Sequence, residues 1–299
     1  MRISSCFRLL MIGFALVEGL QDVLGGFAAD QESTSAALEW FSEGTGPPLV
    51  MLGGGTLGAG EFAPHARVLA TDFQVVRLQN LNIERAQKRQ PLPAEYSIKV
   101  ESAAMARSLD RLGLTEAVNV VGHSFGALVA LDFALDHPDR IRTLILAEPP
   151  AFWVVPPAEL RATADMRTMY ELSLTLTPTI EPTDDQLVQF LGALGIRGVK
   201  PPARTDAAWG RWVSRRSTLR GLSAVSGHTD DVGRLKTFRR PVLIVTGSRT
   251  ISFHRRIDDL LAMHLPLAER AELSGDHGAP ASAREEFVSK IKAFLTQHR

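Results

Sequence analysis

Apolar positions change their period along this chain, and the changes mark its parts. A nine-residue apolar run at 9–17 follows Arg2 and Arg8, and it is too short to span a bilayer. From residue 37 the pattern becomes short apolar runs broken by turn residues, so 37–41, 49–52 and 74–78 read as strands. Residues 81–96, with Arg85, Lys88, Arg89, Pro91 and Pro93, read as a surface connection. Residues 99–112 are apolar at helical period, and Gly113 ends that helix. Val118-Asn119-Val120-Val121 lacks polar alternation, as a strand buried on both faces does, and 124–137 returns to helical spacing. Residues 141–147 form another buried strand, which ends on Glu148-Pro149-Pro150.

There the strand pattern stops. Between 151 and 238, the stretches 157–176, 184–194 and 205–222 keep helical period, separated by Pro178, Pro182, Gly195, Pro201 and Pro202. Strand character resumes at 241–247. A helix at 254–264, a short strand at 270–273, the turn Ser274-Gly275-Asp276-His277-Gly278 and a helix at 283–296 complete the chain. Strands alternating with helices predict an α/β fold with a mostly parallel central sheet. The expected divisions are 1–30, 31–150 and 239–299 as two parts of one core, and 151–238 as a helical insertion. Residues 1–30 read as an N-terminal extension or a secretory signal. Gly26-Phe27-Ala28 would serve as a cleavage site, whereas Glu18 and Asp22 fall where export signals are uncharged. The expected location is cytoplasmic, with a secreted or periplasmic protein as the alternative if 1–28 is a signal.

Composition narrows the partner. The 33 basic and 33 acidic residues cancel, so no general field draws the chain to nucleic acid or anionic lipid. A small-molecule substrate is expected, with no nucleic acid and no stable membrane insertion. The single cysteine, Cys6, lies outside the strand-and-helix region and offers it no disulfide, thiolate metal site or thiol nucleophile.

Gly122-His123-Ser124-Phe125-Gly126 joins the buried strand to the helix after it. In that context G-x-S-x-G puts the serine on a sharp strand-to-helix turn and lifts its hydroxyl clear of the sheet edge. Gly122 and Gly126 lack Cβ atoms, so strand and helix can approach closely beside the bend. The N–H of Phe125 opens the helix and points where a substrate oxyanion would form. A serine hydroxyl is a poor nucleophile near neutral pH and needs a base within reach, itself oriented by a third group.

On this motif and its setting the chain resembles the α/β-hydrolase superfamily, and residues 96–150 look like its esterase-like bacterial members. The resemblance covers about residues 37–297. It implies an α/β-hydrolase fold with an inserted helical cap. It also implies a serine hydrolase that cleaves a small or medium ester, lactone or amide through an acyl-enzyme on Ser124. The superfamily order of nucleophile, acid and histidine makes His277, in its Gly-Asp-His-Gly turn, the base. The acid departs from the commonest pattern, because the loop after 242–246 holds Ser248-Arg249-Thr250 and no carboxylate. The superfamily's second location is the end of the strand after the nucleophile helix, which here is Glu148. A glutamate ending an apolar strand is partly buried and needs a partner, and His277 is the natural one. Asp258 and Asp259 lie well inside a helix and suit the role less.

The loop Gly53-Gly54-Gly55-Thr56-Leu57-Gly58 becomes the other half of the oxyanion hole, with Gly54 the expected donor and Gly55 the alternative. The choice stays open because Leu52-Gly53 stands where family members have His-Gly. The same loop also matches the G-x-G-x-x-G dinucleotide fingerprint. Its acid should end the next strand, however, and Asp72 precedes that strand. Met166, Tyr170 and Trp209 of the insertion are the expected substrate-binding residues, from a set that includes Met169, Phe190 and Trp212. His123 should pack beside the elbow, and His65, His228, His254, His264 and His298 have no supporting context. The mechanism requires no metal or organic cofactor. The same motifs also serve C–C hydrolysis, perhydrolysis, elimination and ligand-binding modules.

Overall fold

The computed structural model describes residues 37–194, 204–205 and 207–299. The segment 1–30 and the breakers Gly195, Pro201 and Pro202 lie outside these residues. Seven strands build one sheet: β1 (Trp40–Glu43), β2 (Pro48–Leu52), β3 (Gln74–Leu78), β4 (Val118–His123), β5 (Ile141–Ala147), β6 (Val242–Gly247) and β7 (Ala268–Leu273). They lie in the order β1-β3-β2-β4-β5-β6-β7, with β1 antiparallel to β3 and every other neighbour parallel. Between β2 and β4 run the helices α1 (Ala63–Leu69), α2 (Leu81–Gln87) and α3 (Ile98–Arg111), and α4 (Phe125–Asp136) joins β4 to β5. Between β5 and β6 come α5 (Ala164–Thr175), α6 (Asp184–Ala193), α7 (Ala207–Val213), α8 (Ser223–Gly227) and α9 (Val232–Thr237). The chain closes with α10 (Ser252–His264), α11 (Ala279–Ser282) and α12 (Arg284–Gln297).

Period-2 alternation splits the strands between two apolar layers. Val50, Leu52, Val120, Leu144, Leu146, Val242 and Ile244 face a core shared with α3, α4 and α10. Leu49, Met51, Val121, Ile145, Ala147, Leu243 and Val245 face the other core, closed by Phe62 and Ala66 and by Phe287, Ile291 and Phe294 of α12. Both faces being covered explains why β4 and β6 carry near-continuous apolar runs.

Several elements differ from the sequence reading, among them the helix expected over 157–176, which begins only at Ala164. The first strand is Trp40–Glu43, displaced toward its turn because Leu38 is drawn into the core and leaves the ladder. Residues 81–87 are helical, with Leu81, Asn82 and Ile83 buried beneath the polar run that made the segment look like a surface connection. The stretch 205–222 is not one helix: α7 ends at Val213, and a 3₁₀ stretch, Arg216–Leu222, follows. Among the described residues no helix is long and apolar enough to cross a membrane.

Strand order fixes where a ligand can sit. The chain leaves β2 for β3 on one side and returns to β4 on the other, so a crevice opens at the carboxyl ends of β2 and β4. In open α/β sheets that switch point is where ligands bind. The glycine-rich loop follows β2, and Ser124 follows β4.

Candidate active site

The elbow is as tight as its glycines require. A Cβ on Gly122 would stand 2.5 Å from the Ala127 Cα, and one on Gly126 would stand 2.4 Å from the Leu52 carbonyl oxygen. Ser124 itself has φ 52° and ψ −124°, a backbone that a non-glycine residue holds only under constraint. Part of that constraint is its own N–H, which donates to the Ala147 carbonyl at 2.8 Å. The Phe125 N–H is the first of α4 and by position has no partner within the helix.

Register places the acid. His123 pairs with Ala147 across β4 and β5, so Ser124 and Glu148 each stand one residue beyond the same rung. Glu148 also has positive φ, at 47°, which turns it across the strand end. Its Oε2 lies 2.7 Å from His277 Nδ1, and His277 Nε2 lies 3.0 Å from Ser124 Oγ. Glu148 further accepts from the Gly247 N–H at 2.7 Å and the Thr250 hydroxyl at 3.0 Å. Thr250 therefore stands in the loop where a carboxylate is absent and binds the carboxylate supplied from β5. Burial pushes the Glu148 carboxyl up, but the bond from His277, with the neighbouring imidazoles and the Gly247 N–H, outweighs it and brings it to about 2. An ionised acceptor fixes the proton of His277 on Nδ1 and leaves Nε2 with its lone pair toward the serine.

A second carboxylate–imidazole pair adjoins the first. Glu61 Oε1 lies 2.5 Å from His123 Nδ1, and His123 Nε2 lies 2.9 Å from the His277 carbonyl oxygen. A carbonyl only accepts, so Nε2 carries hydrogen, and the short contact to Glu61 needs a further proton. Burial opposes the charge on each partner, yet their mutual attraction and bond hold His123 above its ordinary value and Glu61 below its own. Both directions favour an imidazolium facing a carboxylate over a neutral pair. The other Glu61 oxygen accepts from the Gly54 N–H at 2.6 Å.

That bond corrects the expected oxyanion donor, since the Gly54 N–H is already committed to a carboxylate. Gly55 follows it in the same loop, whose carbonyls are tied down by Asn80 to Gly53 at 3.0 Å and by Asn82 to Gly55 at 2.7 Å. Asp72, which a dinucleotide site would need nearby, is bonded instead to Lys292 at the surface. Asp258 is buried and accepts from the Thr246 hydroxyl.

The pocket reading also needs correction. A cavity of about 130 Å³ lies over Ser124 and His277, lined mainly by apolar groups that include Phe152, Met169, Phe190, Trp212, Leu219 and Phe253. Met166, Tyr170 and Trp209 do not line it. On α5 the lining residues are Met169 and Ser173, whereas Met166 packs into the core and Tyr170 meets the Phe152 ring edge-on at 5.3 Å. Helix α5 packs on more than one side, so its apolar residues do not all face one way.

Two residues escaped the sequence reading. Glu61 sits 62 positions from His123 and in a run without periodicity, so nothing local marks it. His254 is buried on α10, and its ring stacks on His277 at 4.0 Å and 6°. Its one signal was its place beside Phe253 on the apolar face of that helix. Glu148, His254 and His277 bring ligand atoms within 4.8 Å of one another, as do Asp132, His228 and Asp230. In the first group Glu148 and His277 are bonded to each other beneath a face-on ring, and in the second Lys99 already binds Asp132 at 2.8 Å.

Residues 47–192 match a family described as alpha/beta hydrolase fold. The provisionally assigned carbamate hydrolase RutD of Caulobacter vibrioides is 33% identical over 259 residues, covering 84% of this chain and 91% of that protein. An esterase of Thermogutta terrifontis superposes with a TM-score of 0.68 at 18% identity, covering 88% of this chain and 94% of that one. An enol-lactonase of Burkholderia xenovorans gives 0.59 at 18% identity, covering 87% and 96%. The two solved structures share the fold, and the Caulobacter relative shares both sequence and length. With a seven-stranded sheet in this order and a match along nearly the whole of that relative, the chain belongs to the α/β-hydrolase fold family and is a hydrolase enzyme.

Proposed function

We propose that this hydrolase cleaves a small or medium ester, lactone or amide through an acyl-enzyme on Ser124. The observation that carries the reading is the unbroken line Ser124 Oγ, His277 Nε2, His277 Nδ1 and Glu148 Oε2, at 3.0 and 2.7 Å. Ser124 Oγ attacks the acyl carbon while His277 Nε2 takes its proton, and the carbonyl oxygen becomes an oxyanion held by the Phe125 N–H. Gly55, free of the Glu61 bond that occupies Gly54, supplies the second donor. As the tetrahedral intermediate collapses, His277 returns the proton to the leaving group. A water then repeats the sequence on the acyl-enzyme, releasing the acid and restoring Ser124. Glu148 stays ionised throughout and stabilises the imidazolium. The insertion between β5 and β6 acts as a cap, with Phe152, Met169, Phe190, Trp212 and Leu219 excluding water from the cavity.

The cavity supports the size class. A space of about 130 Å³ is close to that of a benzene-holding cavity, on the order of 150 Å³, so one compact acyl or alcohol group fits. Carbamates, which the Caulobacter relative is named for, present the same acyl carbon and belong in the substrate panel.

Labelling with a fluorophosphonate probe tests the nucleophile. Wild type should label stoichiometrically and Ser124→Ala should not. A wild type that stays unlabelled while folded removes the acyl-enzyme reading.

A further inference from the structure

One side chain joins two walls of the cavity over Ser124. Asn82, on the first turn of α2, is 2% exposed, and its Nδ2 donates to the Gly55 carbonyl at 2.7 Å and to the Thr218 carbonyl at 2.9 Å. Both hydrogens of the amide are spent, and two carbonyls accept only from its nitrogen end, so the amide has one orientation here. Gly55 belongs to the loop after β2, whereas Thr218 belongs to the 3₁₀ stretch Arg216–Leu222 of the insertion. Gly55 lines the cavity, and so do Leu219 and Leu222 of that stretch. The backbone of Asn82 is anchored in turn by the buried Glu101 carboxyl, which accepts from the Leu81 N–H at 3.0 Å and the Asn82 N–H at 3.2 Å.

The loop needs such anchors. Gly53-Gly54-Gly55 is the backbone with the widest choice of φ and ψ. The Gly54 carbonyl accepts from the Leu57 and Gly58 N–H groups at 3.2 and 2.8 Å. N–H and C=O point opposite ways across a trans peptide, so these bonds aim the Gly55 N–H away from that turn. The Gly55 carbonyl is the next group along, and Asn82 holds it. With the carbonyls of both flanking peptides fixed, the φ and ψ of Gly55 are fixed as well. Contact from the insertion is equally close, since a Cβ on Gly221 would stand 2.7 Å from Asn82 Nδ2 and 2.8 Å from its Cβ. Gly221 has no positive φ, so the lack of a side chain there serves the contact with Asn82 and no turn.

We propose that Asn82 is a positioning residue that ties the insertion to the oxyanion loop, so that the seating of residues 216–222 sets the aim of the Gly55 N–H. The inference rests on the hydrolase reading and on Gly55 as its second donor. Asn82 does not line the cavity and touches no reacting atom, so it acts through Gly55. A substrate that fills the wall made by Leu219 and Leu222 presses on the stretch whose Thr218 carbonyl Asn82 holds. That pressure reaches the oxyanion as a better or worse aimed donor. Misplacing a group by about 1 Å costs about 10²-fold in rate, and losing one oxyanion donor outright costs about 10²- to 10³-fold.

The test separates aim from stability. Ser124 Oγ adds to the carbonyl carbon of trifluoromethyl propyl ketone, its proton passes to His277 Nε2, and the carbonyl oxygen becomes an oxyanion, whereas methyl propyl ketone binds without addition. The ratio of their inhibition constants against 4-nitrophenyl acetate turnover therefore reads the oxyanion hole. Asn82→Ala removes both bonds, and Asn82→Leu removes them while keeping the volume. Each should lower the preference for the trifluoromethyl ketone about ten- to hundred-fold and kcat by a similar factor, with methyl propyl ketone bound within about three-fold of wild type. Gly221→Ala, a change in the insertion, should do the same by displacing Asn82, and should add less than about two-fold in the Asn82→Ala background, where the space is open. Melting curves check folding, and where an Asn82 variant does not fold, the ratio in Gly221→Ala decides. A lowered Tm with an unchanged preference overturns the inference and leaves Asn82 a structural bond, as does a Gly221→Ala effect that multiplies with that of Asn82→Ala. Should wild type neither label with fluorophosphonate nor turn over, the hydrolase reading fails and takes this one with it, whereas an active wild type with unchanged variants refutes this one alone.

Discussion

Replacing Glu148 by glutamine tests how the acid works, because its surroundings contain only donors. Oε1 accepts from the Gly247 N–H, and Oε2 accepts from His277 Nδ1 and the Thr250 hydroxyl. An amide has one acceptor end. If its oxygen faces Gly247, the NH2 faces His277, Nδ1 must accept, and the proton moves to Nε2, where it blocks uptake of the serine proton. If the amide turns over, two donors face each other across 2.7 Å at Gly247, and a buried unmet donor costs about 1–3 kcal/mol. The first arrangement therefore dominates. The expected loss in kcat/KM is about 10³- to 10⁴-fold, which is roughly 4 to 5.5 kcal/mol of transition-state stabilisation. Turnover of 4-nitrophenyl acetate and the rate of fluorophosphonate labelling both report it, with a melting curve to show that the fold survives. A second construction sharpens the test. The Thr250 side chain already touches the carboxylate, so Thr250→Asp in a Glu148→Gly background should regain at least about ten-fold over the single variant. Glu148→Gln within ten-fold of wild type would mean that another residue orients His277, and the argument from register would be wrong.

Two further predictions concern the groups that hold the site. Glu61→Ala leaves the His123 imidazolium and the Gly54 N–H buried without a partner, so it should cost about 3–5 kcal/mol and lower Tm by roughly 6–20 °C. Its pH dependence follows from the two shifts: Glu61 lies below its ordinary 4.5, so its contribution fades as pH falls, and His123 lies above its ordinary 6.5, so its contribution fades as pH rises. The gap in Tm between wild type and variant should be widest between about pH 4.5 and 6.5, and a gap that grows steadily into alkali would contradict the ion pair. Gly126→Ala presses a Cβ against backbone at 2.4 Å and should abolish soluble expression. Gly192→Ala in α6 meets nothing within 4 Å and should stabilise by about 0.5–1 kcal/mol on chemical denaturation.

Placements set by a neighbour in sequence were legible, and placements set across the fold were not. The position of Ser124 on the elbow could be read because the buried strand, the two glycines and the apolar helix are contiguous. The contact of Glu148 with His277 could be read because a carboxylate closing an apolar strand must find a partner. Helix α2 was hidden because Glu84, Arg85, Gln87 and Lys88 follow its buried first turn and dominate the composition. The pocket residues of α5 were misassigned because an apolar helical pattern does not say which neighbour each side chain meets: Met166 packs into the core and Tyr170 against the Phe152 ring, while Met169 between them lines the cavity. Gly54 looked free because the residue that claims its N–H comes seven positions later, beyond a 3₁₀ turn at Gly58–Gly60.

The site is therefore a property of strand register more than of any one motif. β2 delivers the glycine loop, β4 the serine, β5 the acid and β7 the histidine, all at the carboxyl ends of parallel strands. Because side chains alternate faces along a strand, a one-residue slip of β5 against β4 would send Glu148 away from His277 and invert its buried set. The register is secured where both faces of β5 are apolar, Leu144 and Leu146 on one core, Ile145 and Ala147 on the other. The Ser124 N–H bond to Ala147 then ties the strained elbow to the same strand end. A carboxylate at the end of β5 thus gains its alignment from a ladder buried on both faces, and the loop after β6 is left to add only the Gly247 N–H and the Thr250 hydroxyl. On this reasoning the proposed Ser124–His277–Glu148 line should tolerate substitutions at Ser248 and Arg249 that change neither Gly247 nor Thr250, whereas shortening that loop by one residue should remove both donors from Glu148 and cost activity without loss of fold.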